Sequence, residues 1–295
     1  MTEADGGSGT ERAHPRVDAH HHVWDLAVRD QPWTADIEPL RRSFTFDDLR
    51  PQLARAGIDA TVLVQTITVA DETPEFLALA AAYPEISGVV GWVDLTADDV
   101  SATLDELRTL PGGEYLVGIR HQVQGESDPQ WLLRADVTRG LRAVAEAGLV
   151  YDLLVTETQL PAAVDAVRRH PDLRFVLDHG GKPGIAAGQV EPWRSDISTM
   201  SELPNAAVKL SGLLTEAAPT WTVDGIRPYV DHLADTFGAA RMMFGSDWPV
   251  STLRADYHEV VAVTEQLTAQ CSPGDRAAIF ATTAITWYQL QTAAR

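Results

Sequence analysis

The stretch Val17-Asp18-Ala19-His20-His21-His22-Val23-Trp24 reads as a β-strand that runs into histidines. Alternate side chains of a strand point to opposite faces. By that rule Asp18, His20 and His22 share one face, and Ala19, His21 and Val23 share the other. Two imidazoles two residues apart on one face reach a single point in space, whether a metal, an oxyanion or a substrate carbonyl. Histidine ligates metals when neutral and donates hydrogen bonds at either ring nitrogen. An expression tag would be longer and set in Gly/Ser, whereas this run is enclosed by Val17 and Val23-Trp24 behind a separate polar tail.

Seven further β-branched runs follow this strand: 59–66 (DATVLVQT), 86–95 (ISGVVGWVDL), 116–123 (LVGIRHQV), 148–155 (GLVYDLLV), 174–180 (RFVLDHG), 206–212 (AAVKLSG) and 241–247 (RMMFGSD). Near-continuous Val/Ile/Leu, rather than alternation, marks strands covered on both faces. Helical patterns lie between them at 46–56, 74–82, 98–110, 138–147, 160–170, 189–203 and 223–237, and two more at 254–270 and 274–290 close the chain. Thr73 is placed to cap the second, with Pro74 as its first residue. Gly57, Gly148 and Gly238 stand where helices should stop. Eightfold β-α alternation predicts a single (β/α)8 barrel over 16–295. A doubly wound sheet would show a Gly-rich phosphate turn after an early strand, and Gly180-Gly181 lacks that spacing. Residues 1–15 are polar and Gly-rich, and are expected to form a disordered tail. The stretch 25–44 exceeds an ordinary β-α connection; with Trp33 and Arg41-Arg42 it is expected to fold over the barrel mouth.

The totals exclude some partners. A formal net charge of −19 over 295 residues argues against nucleic acid and against an anionic membrane surface. No apolar run approaches the roughly 20 residues of a membrane span. Residues 1–16 carry no apolar core behind a basic start, and the single cysteine, Cys271, fits a reducing compartment. A cytoplasmic protein is expected.

A barrel of this kind carries its site at the C-terminal ends of the strands. Strand one ends in His20 and His22, strand four in Arg120-His121, strand six in Asp178-His179 with Lys182 just beyond, and strand eight in Ser246-Asp247-Trp248. His179 shares parity with Phe175 and Leu177, and Asp247 with Met243 and Gly245. The aromatic residues Trp24, Trp33, Trp92, Tyr151 and Trp248 fall near the same mouth, where an aromatic face can stack on a sugar ring. Lys182 is placed to bond a substrate or a neighbouring loop.

The segments VDAHHHVWD (17–25), VLVQT (62–66), GVVGWVDL (88–95), GIRHQVQ (118–124), FVLDHGGKP (175–183), VKLSGL (208–213) and MFGSDWPV (243–250) together resemble the amidohydrolase superfamily. The branch they resemble contains sugar-acid lactonases such as L-fuconolactonase and L-rhamnonolactonase, and only the tail lies outside the resemblance. It implies a hydrolase opening the ring of a sugar lactone, with His20, His22, His179 and Asp247 as the catalytic set. Ester hydrolysis needs a base for water, a stabiliser for the oxyanion and a proton for the leaving alkoxide. Asp247 is the expected base, the histidines the groups around the carbonyl. Trp24, Trp33, Trp92, Arg120, His121, Tyr151, Lys182 and Trp248 are the expected substrate contacts. Metal-dependent relatives take a further ligand from the end of strand five, where this chain reads Tyr151-Asp152-Leu153-Leu154-Val155. His20, His22 and Asp247 could still hold one zinc, but no obligatory cofactor is expected. The expected partner is a small lactone; a homo-oligomer is left open. A lactonase for a pyrone dicarboxylate would want several arginines, a superfamily decarboxylase would need a firmly held metal, and a sugar-acid-binding barrel would need no catalytic cluster.

Overall fold

Eight parallel strands hydrogen-bond in sequence order: β1 (Val17–His21), β2 (Ala60–Val64), β3 (Ile86–Gly91), β4 (Leu116–His121), β5 (Val150–Leu153), β6 (Arg174–Leu177), β7 (Ala206–Leu210) and β8 (Met242–Phe244). This computed structural model describes residues 15–291, so the expected tail lies, apart from Pro15, outside the described residues. The barrel closes beyond β8, where Asp247 N donates to His20 O at 2.8 Å and His22 N donates to Trp248 O at 2.7 Å. The strands are apolar throughout because both faces are covered. Val62, Val64, Val90, Val150, Val176, Ala207 and Met243 fill the interior, with Trp287 and Tyr288 plugging its floor. The alternate residues, among them Leu63, Val89, Ile119, Phe175 and Leu177, belong to the larger core under the helices.

The helices are α1 (Phe46–Ala56), α2 (Glu72–Ala82), α3 (Val100–Thr109), α4 (Ala135–Glu146), α5 (Leu160–Arg169), α6 (Trp193–Ser201), α7 (Leu213–Glu216), α8 (Val223–Phe237), α9 (Tyr257–Leu267), α10 (Pro273–Ala277) and α11 (Thr283–Tyr288). Thr45 and Asp48 form a reciprocal capping box on α1, and Gly57 ends it in the left-handed region; such a cap is worth about 1 kcal/mol. The expected start of α2 needs correction. That helix begins at Glu72, and Thr73 is no cap: its hydroxyl donates to Trp92 O at 3.0 Å and accepts from Trp92 N at 2.8 Å, tying α2 to the end of β3. The last helical pattern is broken by a π turn, Ala278–Thr282.

The stretch 25–44 folds over the mouth as two short 3₁₀ turns, Pro32–Thr34 and Glu38–Leu40. Its ends are pinned by Trp24 and Phe44, which exchange backbone bonds of 2.8 Å each way, and Leu40 is buried as its anchor.

The first strand departs from simple alternation. Asp18 pairs with Thr61 but His21 with Leu63, so three steps along β1 match two along β2. The extra residue is a bulge, which re-aims the side chains beyond it. Ala19 packs inside the barrel, yet His20 and His22 also face inward. Asp18 instead accepts from the Tyr257 hydroxyl of α9 at 3.0 Å, and His21 lies beside Phe46 of α1 and 3.0 Å from Thr61 Oγ1. The shared face expected for Asp18, His20 and His22 is therefore reduced to the two histidines.

Candidate active site

Above the apolar floor lies a buried layer of charge. Lys209 of β7 sits 2.6 Å from Asp152 of β5 and 3.0 Å from Asp178 at the end of β6. Arg120 of β4 donates to Asp178 at 2.9 Å and to the carbonyl oxygen and, at 3.1 Å, the side chain of Gln65. The Tyr288 hydroxyl rises from the floor to donate to Asp152 at 2.8 Å. Burial alone would raise the Asp178 carboxyl, but Lys209, His20 and Arg120 outweigh it and hold this group well below the usual carboxylate range.

On this layer rests the histidine–aspartate cluster. His20 Nε2 and His22 Nε2 lie 3.1 Å apart, and Asp247 Oδ1 stands 3.5 Å from His22 Nε2 and 3.8 Å from His20 Nε2. The His20 and His179 ring centroids are 4.7 Å apart. Parity alone would send His179 outward with Phe175 and Leu177. It turns inward because its backbone is left-handed, at φ 55°. Asp247 shares that conformation, also at φ 55°, and Lys182 at φ 52°. Each such non-glycine residue costs about 1–2 kcal/mol and persists only where its surroundings over-determine it. For His179 those surroundings are Ser211 Oγ at 2.9 Å from Nδ1 and the bare Cα of Gly212. A Cβ on Gly212, itself at φ +63°, would meet that Nδ1 at 2.5 Å.

Burial would raise the Asp247 carboxyl, but the imidazoles of His179 and His22 and the Lys182 ammonium hold it below its ordinary value. Burial pushes His179 down to about 4 against the pull of Asp247 and Asp178. Burial and the Lys209 charge push His20 well down too. At neutral pH Asp247 is thus a carboxylate beside the neutral rings of His20 and His179. His22 donates from Nδ1 to Val64 O at 2.7 Å, since a carbonyl only accepts. In its neutral form, the His22 Nε2 is then a bare lone pair.

His22, His179 and Asp247 form the floor of a cavity of ≈ 340 Å³ whose walls include Trp33, Thr66, Gln122, Gln124, Leu154 and Lys182. Of the expected contacts, the structure brings Trp33, Arg120 and Lys182 to this cavity, and Lys182 is also paired with Glu216 at 3.3 Å. The others are corrected. Trp24 packs edge-on against Trp33 and Phe44 and supports the loop, while Trp248 is buried against Phe44. Arg120 points inward, so its neighbour His121 must face the helices. There His121 accepts from Trp92 Nε1 at 3.0 Å, bonds Glu126 at 2.8 Å and stacks on Trp131, which removes both Trp92 and His121 from the site. Tyr151 faces outward too, against Phe175. Lys209, Asp152 and Ser211 were not anticipated. Their signal was present: a charged residue in the middle of a strand buried on both faces, as in Ala206-Ala207-Val208-Lys209-Leu210, has to find its partner inside the barrel.

One ligand atom each from His20, His179 and Asp247 lies within 4.8 Å of the others, with His22 alongside. Imidazoles plus a carboxylate make a donor set that suits zinc, so the residues fit such an ion.

The structure is a parallel barrel with HxH on the first strand, and a histidine and an aspartate at the ends of the sixth and eighth gathered beside it. The chain belongs to the amidohydrolase family, whose model matches residues 17–290. It is 38% identical over 280 residues to an L-fucono-1,5-lactonase of Burkholderia ambifaria, covering 93% of this chain and 96% of the relative. A solved amidohydrolase from Burkholderia multivorans with bound HEPES superposes at TM-score 0.88, with 36% identity over 94% of this chain and 99% of the other. A second crystal form with bound zinc superposes at 0.87, with the same identity and coverage.

Proposed function

We propose that this chain hydrolyses a sugar lactone to the free sugar acid, with Asp247 as the base. The observation that carries the reading is an ionised, buried Asp247 beside His179 on the floor of a cavity whose walls include the hydrogen-bonding side chains of Thr66, Gln122 and Gln124. Water above the lactone carbonyl gives its proton to Asp247 as its oxygen bonds the carbonyl carbon. The tetrahedral oxyanion accepts from Nε2–H of His179, the tautomer left when Ser211 donates to Nδ1. Arg120 adds fixed positive charge from the wall. The ring C–O bond then breaks, and Asp247 returns the proton to the leaving alkoxide. His22 takes no part as a donor, because its N–H is committed to Val64. The chemistry supplied by a zinc ion, when bound by His20, His179 and Asp247, is Lewis acidity toward the carbonyl oxygen.

Thr66, Gln122 and Gln124 offer hydrogen bonds to hydroxyls, and Trp33 a face for the ring. A pyrone dicarboxylate fits poorly. Arg120 is already neutralised by Asp178, Arg41 is drawn to Asp30 at 2.6 Å, and Arg42 lies over Phe44. The relative's printed activity supports a fucono-lactone as the first substrate to try. A small metabolite of this kind fits a cytoplasmic enzyme, and among the described residues no helix is long and apolar enough to cross a membrane. The test is proton release across a panel of L- and D-aldonolactones. Turnover of a pyrone dicarboxylate with none of the sugar lactones would overturn the reading.

A further inference from the structure

Lys209 stands in the middle of β7 with its ammonium buried among three acceptors: Asp152 Oδ2 at 2.6 Å, Asp178 Oδ1 at 3.0 Å and His20 Nδ1 at 3.1 Å. An ammonium has three protons and accepts nothing. Toward this lysine, His20 Nδ1 therefore offers its lone pair, and a neutral ring then carries its hydrogen on Nε2. That Nε2–H points at His22 Nε2, 3.1 Å away, whose own hydrogen is committed at Nδ1 to Val64 O. The donors thus run one way, from Lys209 through His20 and His22 to a backbone carbonyl, and each N–H along the line has an acceptor. Arg120 Nη1, also a donor only, approaches the same His20 nitrogen and favours the opposite tautomer, but at the longer distance of 3.3 Å and with its short bond directed at Asp178.

We propose that Lys209 sets the metal preference of this site: by holding the His20 hydrogen on Nε2, it keeps the HxH pair hydrogen-bonded to itself and closes that nitrogen to a divalent cation. A metal needs a bare ring nitrogen, and Nε2 is the His20 nitrogen on the Asp247 side, 3.8 Å from that carboxylate. The opposite tautomer supplies it and points Nδ1–H toward Asp178, at 3.3 Å, but sets that N–H against the lysine ammonium 3.1 Å away. Zinc at His20 must therefore displace the Lys209 contact. A lysine that merely neutralised Asp152 and Asp178 would account for two of its contacts and would leave the His20 tautomer free. Partners behind a metal ligand typically change metal affinity by about 10–100-fold, and here the partner opposes the ion.

Zinc affinity is to be measured by competition with a chromophoric chelator on metal-free wild type, Lys209→Met and the double variant Lys209→Met/Asp152→Asn. The double variant removes one charge of each sign, so that its net charge is that of the wild type. Histidine ¹⁵N spectra of the same samples report which nitrogen of His20 carries the hydrogen. The expected result is Nε2–H in the wild type, a shift to Nδ1–H in both variants, and zinc binding tightened about tenfold or more. Nδ1–H in the metal-free wild type would overturn the proposal. So would zinc affinity in the double variant within about twofold of wild type. If Lys209→Met fails to fold with two buried carboxylates unbalanced, the wild-type spectrum and the double variant still decide.

Discussion

Asp247→Asn is the perturbation that bears most directly on the chemistry. Asparagine has the same shape and is among the few residues at ease in the left-handed conformation Asp247 adopts. The backbone bond from residue 247 to His20 O, at 2.8 Å, is untouched. The fold should therefore survive, and what disappears is the capacity to accept a proton. A positioned general base contributes ~10²–10⁴-fold. His179, His22 and Lys182 hold this carboxyl below its ordinary value, and a weaker base gains less, which places the expected loss in kcat near the lower end, ~10²–10³. That is about 2.7–4 kcal/mol of barrier. KM should change little, because ground-state contacts to the sugar come from the walls. A pH-stat assay gives kcat and KM for both proteins, and thermal melting checks the fold. The wild-type rate should also show no acid limb between about pH 8 and about pH 5, because the carboxylate stays ionised there. A folded Asp247→Asn enzyme that loses less than about tenfold in kcat, or loses only in KM, would refute the assignment of the base.

His179→Asn removes one oxyanion donor and should lower kcat by about 10²–10³ with KM nearly steady, read in the same assay. Gly212→Ala places a methyl 2.5 Å from His179 Nδ1 on a backbone at φ +63°; kcat should fall by at least about tenfold as the ring shifts, with a melting temperature several degrees lower. Glu72, raised above 4.5 by burial at the start of α2, should stabilise the fold fully below pH 4.5 and lose that contribution as pH rises through its folded value. Urea titrations from about pH 4 to about pH 8 should accordingly show a fall, no steeper than about 1.4 kcal/mol per pH unit for this one proton, that Glu72→Gln flattens. Exhaustive chelation should leave most lactone turnover intact, since base and oxyanion donor are side chains; abolition restored by added zinc would show the ion to be required.

The barrel was legible because its evidence is redundant: eight buried strands each announce themselves by apolar runs, and one misjudged boundary, such as the start of α2, changes nothing downstream. The site was legible as a list of strand ends but not as a geometry, because parity arguments assume an unbroken period of two. Two departures defeated that assumption. The bulge in β1 turned Asp18 and His21 toward the helices while keeping His20 and His22 inside. The left-handed turn at His179 brought inward a side chain that the strand pattern sends out. Both depend on partners remote in sequence: Thr61 and Leu63 for the bulge, Ser211 and Gly212 for the turn. No local window of residues contains them. Where the period did hold, it was underused. Arg120 pointing inward already required His121 to point away, and Val150 and Ala207 packing inside already placed Asp152 and Lys209 there too. Asp152 stands on strand five, with its side chain occupied by Lys209 and Tyr288. Strand five thus supplies the carboxylate that holds the lysine 3.1 Å behind His20 Nδ1, beneath an HxH pair whose two Nε2 atoms lie 3.1 Å apart.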